Sequence, residues 1–177
     1  MKSVPTQTSK RPGGLAALVG VAAAAALITF TPKQEGRELV TYRDIAGVLT
    51  YCDGATENAQ AGKVYTPAQC DAQLEYDLMR HAAGVNACVP MQNLTVGQRI
   101  AFTDMAFNVG VAGFCNSTMA RLANQRDLLG SCLAMIEWVK ISKYVKQPDG
   151  TTKRVLVPVK GLVLRRLRAI DICLTKA

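Results

Sequence analysis

Three side chains near the N-terminal end of the sequence have the types needed to cleave a glycosidic bond. They are Glu35, Asp44 and Thr50, in the spacing E-x8-D-x5-T. Hydrolysis of such a bond needs one carboxylic acid to protonate the leaving oxygen and a second carboxylate to activate water or attack the sugar. The spacing alone does not establish this chemistry, because Asp and Thr side chains on a hairpin are more often simply solvated. The chemistry therefore depends on the elements that position these groups.

Residues 38–52 are predicted to form a small hairpin, because β-branched and aromatic residues lie on both sides of Ala46-Gly47. If the turn centres on Gly47, Asp44 and Thr50 are equidistant from it and should face each other on one side of the ribbon. A carboxylate and a hydroxyl so placed can hold one water molecule. Glu35 would approach from another side; if partly buried, it stays protonated as the acid, whereas better-hydrated Asp44 stays ionised.

Helix-start signals dominate the remainder of the chain. The sequences T-P-A-Q at 66–69 and T-V-G-Q at 95–98 both have the capping-box pattern. The first predicts a helix that ends near 81–84, and the second predicts one that ends near Gly110. Two further helices are expected, with Ser117 and Asp127 as their caps. The helix after Asp127 would carry a core-facing stripe of Leu128, Cys132, Met135, Ile136 and Val139.

The C-terminal part combines a turn with a basic helix. Residues 146–153 contain Pro, Asp and Gly and predict a loop, which we expect to be a mobile hairpin. Residues 161–174 predict an amphipathic helix in which leucines alternate with Arg165, Arg166 and Arg168. We expect these arginines to form a solvated basic face. The sole tryptophan, Trp138, is expected to pack between elements rather than to stack on a ligand.

Length and patterning together predict one α+β domain with an appendage. A chain of 177 residues is too short for two ordinary domains. A hairpin followed by helices is an α+β arrangement, and no repeat of 20–50 residues indicates a solenoid or propeller. We expect residues 35–177 to form this domain and residues 1–34 to be a separate N-terminal segment.

The N-terminal segment contains a candidate membrane span. Residues 13–31 carry no charge, and as one helix they would rise about 28 Å, enough to cross a bilayer core. Ten of these nineteen residues are Ala or Gly, so insertion would be weakly held. The preceding Lys2, Lys10 and Arg11 predict a cytoplasmic N-terminus and an exported remainder. A cleaved signal peptide and a buried core helix are the alternatives.

Six cysteines follow this segment, an even number that indicates disulfides in an oxidising compartment. Their pairing is open among fifteen connectivities. A nucleophilic pair of Cys52 and His81 is disfavoured, because an exported cysteine in an even set is expected to be in a disulfide. Zinc-ligand spacing is absent and His81 is the only histidine, so neither a metal nor a cofactor is expected.

The positive charge lies at the two ends of the chain. Residues 1–34 have a net charge of +4, residues 35–137 have −4 and residues 138–177 have +8. A basic tail attracts polyanions such as nucleic acid, anionic lipid headgroups or the anionic polymers of a bacterial wall. Because the sequence contains no nucleic-acid-binding motif and the domain is expected to be exported, nucleic acid is not an expected partner.

Two groups of motifs resemble the phage-type lysozymes of glycoside hydrolase family 24, the muramidase endolysins. The first is Glu35-Gly36 followed by Y-R-D-I-A-G-V-L-T at 42–50, which matches the family's active-site signature at all three positions. The second is A-F-N-V-G at 106–110, A-G-F-C at 112–115, S-T at 117–118, and G-L-V followed by R-R at 161–166. The resemblance covers roughly 35–174, and with the weak N-terminal span it is closest to the signal-arrest-release endolysins of lambda-like phages.

The resemblance implies a lysozyme-like fold, with a small hairpin lobe and a mainly helical lobe. It implies Glu35 as general acid, Asp44 as the carboxylate that positions or activates water, and Thr50 as a partner for that water. The expected reaction is inverting hydrolysis of the β-1,4 bond between N-acetylmuramic acid and N-acetylglucosamine in peptidoglycan, by a monomer without cofactor. Because Asp44 and Thr50 are both present, hydrolysis is favoured over the lytic transglycosylase reaction of relatives that lack them.

The same resemblance implies a location and a mode of control. The chain would sit in the host inner membrane with its catalytic domain in the periplasm, and would later be released there. Our hypothesis is that the tethered form is inactive because Glu35 is kept away from Asp44 and Thr50, until loss of the proton-motive force lets the span leave. The competing hypothesis is a membrane-tethered peptidoglycan-binding protein without catalytic activity.

Overall fold

The computed structural model describes residues 14–32, 36–44 and 47–175. The helices described are α1 (Leu15–Val19), α2 (Val21–Phe30), α3 (Pro67–Cys88), α4 (Val96–Val109), α5 (Val111–Cys115), α6 (Thr118–Asn124), α7 (Leu128–Leu133) and α8 (Lys160–Leu174). The strands are β1 (Glu38–Arg43), β2 (Leu49–Cys52), β3 (Lys140–Lys146) and β4 (Thr152–Pro158). Two short 3-10 helices, Met91–Asn93 and Ala134–Trp138, complete the order. The predicted α+β class is confirmed.

The apolar N-terminal segment forms two short helices packed on the body. Gly20 separates α1 from α2 with φ of 89°, a left-handed conformation that favours glycine. The side chains of Leu15, Val19, Ala23 and Leu27 are buried among those of α3 and α4. None of the described helices has both the length and the apolar character needed to cross a bilayer. The four buried side chains belong to the main core.

The first hairpin, β1–β2, forms a small lobe with its own core. Glu38 pairs with Cys52 and Tyr42 with Thr50, and the register shifts between them. Residues 39–41 also bond to residues 63–65 through Tyr65 N–H to Leu39 O at 2.7 Å and Thr41 N–H to Lys63 O at 3.0 Å. Stacked rings of Tyr51 and Tyr65, with centroids 4.3 Å apart, lie in the lobe's core.

Both predicted capping boxes are present at the starts of α3 and α4. The Thr66 hydroxyl accepts from Gln69 N–H at 3.2 Å, while Gln69 Oε1 accepts from Thr66 N–H at 2.8 Å. Helix α3 continues to Cys88, beyond the predicted end at 81–84. It ends where Val89 precedes Pro90, because the proline ring disfavours the helical conformation of the residue before it.

The helices from α4 to α8 enclose the main core. Ser117 and Asp127 cap α6 and α7 as predicted, through their side-chain oxygens. The stripe expected after Asp127 is confirmed for the buried Cys132, Met135 and Val139 and for Leu128, which packs against the core. It is wrong for Ile136, because α7 ends at Leu133 and a 3-10 helix follows. The change from 3.6 to about three residues per turn rotates Ile136 into solvent, where it is 41% exposed.

Three disulfides cross-link the described chain. Cys52–Cys70 joins β2 to α3, Cys88–Cys115 joins α3 to α5, and Cys132–Cys173 joins α7 to α8. The sequence left the pairing open, and in the structure the cysteines are bonded in the order of the chain, as three successive pairs. The first bond ties the small lobe to the long helix, and the Cys52 thiol is not available as a nucleophile.

Candidate functional site

The β1–β2 turn positions Asp44 and Thr50 through one shared residue. Asp44 Oδ1 accepts a hydrogen bond from Val48 N–H at 2.9 Å. The Thr50 hydroxyl donates to the carbonyl oxygen of the same Val48 at 3.1 Å. Thr50 is buried and Asp44 is half-buried. Both candidate side chains are therefore anchored to the backbone of the residue that lies between them.

The register corrects the expectation that Asp44 and Thr50 face each other directly. Thr50 faces Tyr42, and the N–H of Asp44 donates to Val48 O at 3.0 Å. Gly47 N–H donates to Asp44 O at 2.9 Å, and Gly47 has φ of 79°. Asp44 therefore lies opposite Val48, which places the centre of the hairpin one residue earlier than predicted, and glycine favours the left-handed conformation just before Val48. Asp44 and Thr50 are consequently diagonal neighbours across the ribbon.

The third candidate, Glu35, lies outside the described residues. The described residues that flank it are anchored on both sides. Thr31 is fully buried, and its hydroxyl donates to Asp104 Oδ1 at 3.3 Å. Gly36 N–H donates to Pro32 O at 3.2 Å.

Arg37 links this flank to both lobes. Its Nη2 atom is 2.7 Å from Oδ2 of the buried Asp53, and its Nη1 atom is 2.7 Å from Oδ1 of Asp71 on α3. The hydrogen bond to Asp53, together with the bond to Asp71, raises the pKa of Arg37 above its ordinary value. The charged Arg37 therefore holds the residues just before β1 against the end of β2 and against α3.

Asp104, which accepts the hydrogen bond from Thr31, also belongs to a buried charge pair. Arg165 Nη2 is 3.3 Å from Asp104 Oδ1, and these residues are 6% and 0% exposed. Arg166, 1% exposed, donates from Nε to Trp138 O at 3.1 Å and from Nη2 to the Asn108 side chain. The predicted solvated basic face is thus wrong for these two arginines. Their stripe faces α4, which supplies a carboxylate and an amide as partners.

A groove of about 250 Å³ lies between the loop after β2 and helices α3 and α4. Its lining includes the Glu57–Arg80 ion pair, with Arg80 Nη1 to Glu57 Oε2 at 2.5 Å. Asp77 also lines it, and burial raises the pKa of this carboxyl group despite hydrogen bonding by Gln73. The lining residues are Gly54, Ala55, Thr56, Glu57, Asp77, Arg80, His81 and Phe107.

The sequence reasoning did not identify Arg37, Asp77 or Asp104 as parts of this region. Asp104 carried a usable signal, because it is an acid within the largely apolar run F-T-D-M-A-F of a predicted core helix. A buried acid needs a positive or hydrogen-bonding partner, and the arginines of the last helix were available. Trp138 is half-buried against the main core, which confirms the packing role predicted for it.

Comparison with known proteins gives matches over most of the chain. The family model described as "Phage lysozyme" matches residues 32–168. A SAR-endolysin of Bacteriophage PS119 is 34% identical over 166 residues, covering 90% of this chain and 91% of that protein. A SAR-endolysin of Enterobacteria phage P21 is 34% identical over 167 residues, covering 90% and 93%.

Among solved structures, the muramidase domain of SpmX from Asticaccaulis excentricus superposes with a TM-score of 0.71 at 26% identity. The superposition covers 89% of this chain and 97% of that one. The arrangement of a small hairpin lobe against a mostly helical body is therefore a lysozyme-like fold.

Proposed function

We propose, on the premise that the chain belongs to the phage lysozyme family, that Glu35, Asp44 and Thr50 carry out its chemistry. The chain is a glycoside hydrolase of the lysozyme type and acts as an endolysin. It hydrolyses the β-1,4 bond between N-acetylmuramic acid and N-acetylglucosamine in bacterial peptidoglycan, which lyses the host cell and releases phage. The observation that supports the site is the anchoring of Asp44 and Thr50 on Val48.

That anchoring leaves both side chains suited to hold an attacking water. A carboxylate has about four acceptor positions, and the bond from Val48 N–H uses one of them to orient Asp44. A hydroxyl that donates its proton to Val48 O presents its oxygen lone pairs as acceptors. Asp44 would activate the water as general base, Thr50 would orient it, and Glu35 would protonate the leaving oxygen from the other side of the sugar. Attack by a water held on the face opposite the leaving group would invert the anomeric carbon.

The N-terminal segment, residues 1–34, would control this chemistry from the membrane, and residues 35–177 would form the catalytic domain. In the folded form, Thr31 bonds to Asp104, and only three residues separate Thr31 from Glu35. While residues 13–31 lie in a bilayer, Thr31 cannot reach Asp104 and Glu35 is held near the headgroups. The relatives named SAR-endolysins support this assignment. The protein would be a monomer, located first at the host inner membrane and then in the periplasm.

The decisive experiment is to digest purified murein and analyse the muropeptides and reducing ends released. Wild type should release products with new reducing ends. Glu35→Gln should lower turnover by about 10²–10⁴-fold, the range for a lost general acid. Glu38→Gln is a matched control, since Glu38 is an exposed carboxylate at the start of β1, and it should retain wild-type turnover. Anhydro ends would instead identify a transglycosylase, and no release would identify a wall-binding protein.

A further inference from the structure

The second hairpin, β3–β4, is a long ribbon without a covering element. Seven consecutive residue pairs join the strands, from Lys140 with Pro158 to Lys146 with Thr152. Among the described strands, β3 and β4 pair only with each other. Every residue of β3 is exposed, and in β4 only Val155 and Val157 are half-buried. A two-stranded ribbon in water is marginally stable unless an apolar face is covered.

Both faces of this ribbon carry apolar side chains. Because side chains alternate along a strand, Ile141, Val145, Val155 and Val157 share one face. The opposite face carries Tyr144, which is 74% exposed, and Leu156, which is 62% exposed. Such side chains are unusual on a fully solvated surface when they are this concentrated.

The same ribbon is strongly cationic. Residues 140–158 contain five basic residues and one acid, Asp149. That acid lies in the turn, where its Oδ1 accepts from the N–H of Thr151 at 2.9 Å and from its hydroxyl at 2.6 Å. The strands themselves therefore present only positive charge, from Lys140, Lys143, Lys146, Lys153 and Arg154.

We propose that the β3–β4 hairpin docks on an anionic phospholipid surface. Lysine and arginine side chains would meet lipid phosphates, while the more exposed face, that of Tyr144 and Leu156, enters the region between headgroups and acyl chains. The apolar groups decide against a wall polymer as the partner, since a hydrated glycan offers cations a partner but offers exposed Leu and Val none. This contact is separate from the N-terminal segment and would keep the released enzyme near the membrane.

The test is flotation of the full-length protein with vesicles of phosphatidylcholine alone or with about one third phosphatidylglycerol. The N-terminal segment contributes apolar insertion to both kinds of vesicle, and its own basic residues are the same in wild type and in every hairpin variant. The hairpin should add binding only to the anionic vesicles, and added salt should weaken it. Equal binding to the two kinds of vesicle would overturn the proposal.

Two variants separate charge from apolar contact. Lys140→Gln with Lys146→Gln removes two exposed lysines on the face of Tyr144 and Leu156. It should weaken binding to anionic vesicles by about tenfold or more, given the usual contribution of a lysine near such a surface. Tyr144→Ser with Leu156→Ser should also weaken binding to anionic vesicles. This loss should persist at high salt, where charge contributions are screened and the apolar contribution remains. If both variants bind anionic vesicles as tightly as wild type does, the proposal is wrong.

A matched control removes the same charge elsewhere. Arg121→Gln with Arg126→Asn changes two exposed arginines at and after α6, and should bind anionic vesicles as wild type does. All variants should hydrolyse purified murein at the wild-type rate, which shows that they fold. If the lysine variant loses binding to purified murein while keeping vesicle binding, the hairpin's partner is the wall and the lipid proposal is wrong.

Discussion

The hydroxyl of Thr31 donates to Oδ1 of Asp104, 73 residues further along the chain, in a fully buried site. Arg165 bonds to the same oxygen from α8. The N-terminal segment, the central helix α4 and the last helix thus share one carboxylate oxygen. Together with the bond from Arg99 Nη1 to Val19 O at 3.3 Å, this contact hydrogen-bonds the N-terminal segment to α4, and it lies just before the proposed acid.

Replacing Thr31 by valine tests the stabilising effect of that bond. Valine keeps the branched shape but cannot donate, which leaves a buried carboxylate one donor short. We expect a loss of about 1–2 kcal/mol in the free energy of unfolding, measured by urea denaturation. Thr29→Val is the control, because the exposed Thr29 hydroxyl bonds only to carbonyls of its own helix. An equal loss in both variants would mean that the Asp104 contact adds no specific stability.

Asp44→Asn and Thr50→Val should each lower murein hydrolysis by about 10²-fold or more, since each removes a group proposed to position the water. Thr41→Val is the matched control for Thr50. Thr41 is also a buried strand residue whose hydroxyl donates to a carbonyl, that of Lys63 at 3.2 Å. Both threonine variants should lose similar stability, but only Thr50→Val should lose turnover. Equal turnover in the two would remove Thr50 from the mechanism.

Asp77→Asn should stabilise the protein at neutral pH. Burial raises the pKa of Asp77 in the folded state above its value in the unfolded chain, and its side chain is only 15% exposed. The folded state therefore disfavours the ionised carboxylate, and this penalty develops as the pH rises through the raised pKa.

Thermal unfolding of wild type and Asp77→Asn across pH 3–8 measures this effect. The melting temperature of the variant should exceed that of wild type at pH 7, and the difference should vanish at acid pH, where Asp77 is protonated in both states. Glu75→Gln changes an exposed carboxylate on the same helix and should have no such pH-dependent difference. A neutral-pH loss of stability in Asp77→Asn would show that its hydrogen bonds outweigh the burial.

Ala22→Leu with Ala25→Leu should retain the protein in the membrane and delay lysis. Both alanines are exposed in the folded form, so leucine adds apolar surface without filling the core. Each leucine favours membrane insertion by roughly 0.5 kcal/mol. Ala23 is unsuitable because it is fully buried, and leucine there would overpack the core.

The measurement is the membrane fraction of the protein and the time of lysis after induction. Ala22→Ser with Ala25→Ser changes the same positions to a small polar residue and should shorten membrane retention. If both pairs lyse at the wild-type time, the segment's affinity for lipid does not control release.

The helix starts were predictable because a capping box is a local arrangement. Thr66 and Gln69 satisfy each other's backbone groups whatever the rest of the fold does. The register of the first hairpin was not, because the residue types of this stretch are compatible with a turn centred on position 46 as well as with one centred on Gly47. Burial of Arg165 was also missed, since it depends on Asp104, 61 residues away.

The sequence by itself determined which chemical groups the chain carries and the elements that hold them. Glu35, Asp44 and Thr50, the capping boxes, both hairpins and the basic last helix all follow from residue types within a few positions of one another. Only the tertiary structure decided how six cysteines pair, how α1 and α2 pack, and which arginines are buried. Those outcomes depend on contacts between residues far apart in the chain, and local preferences do not specify them.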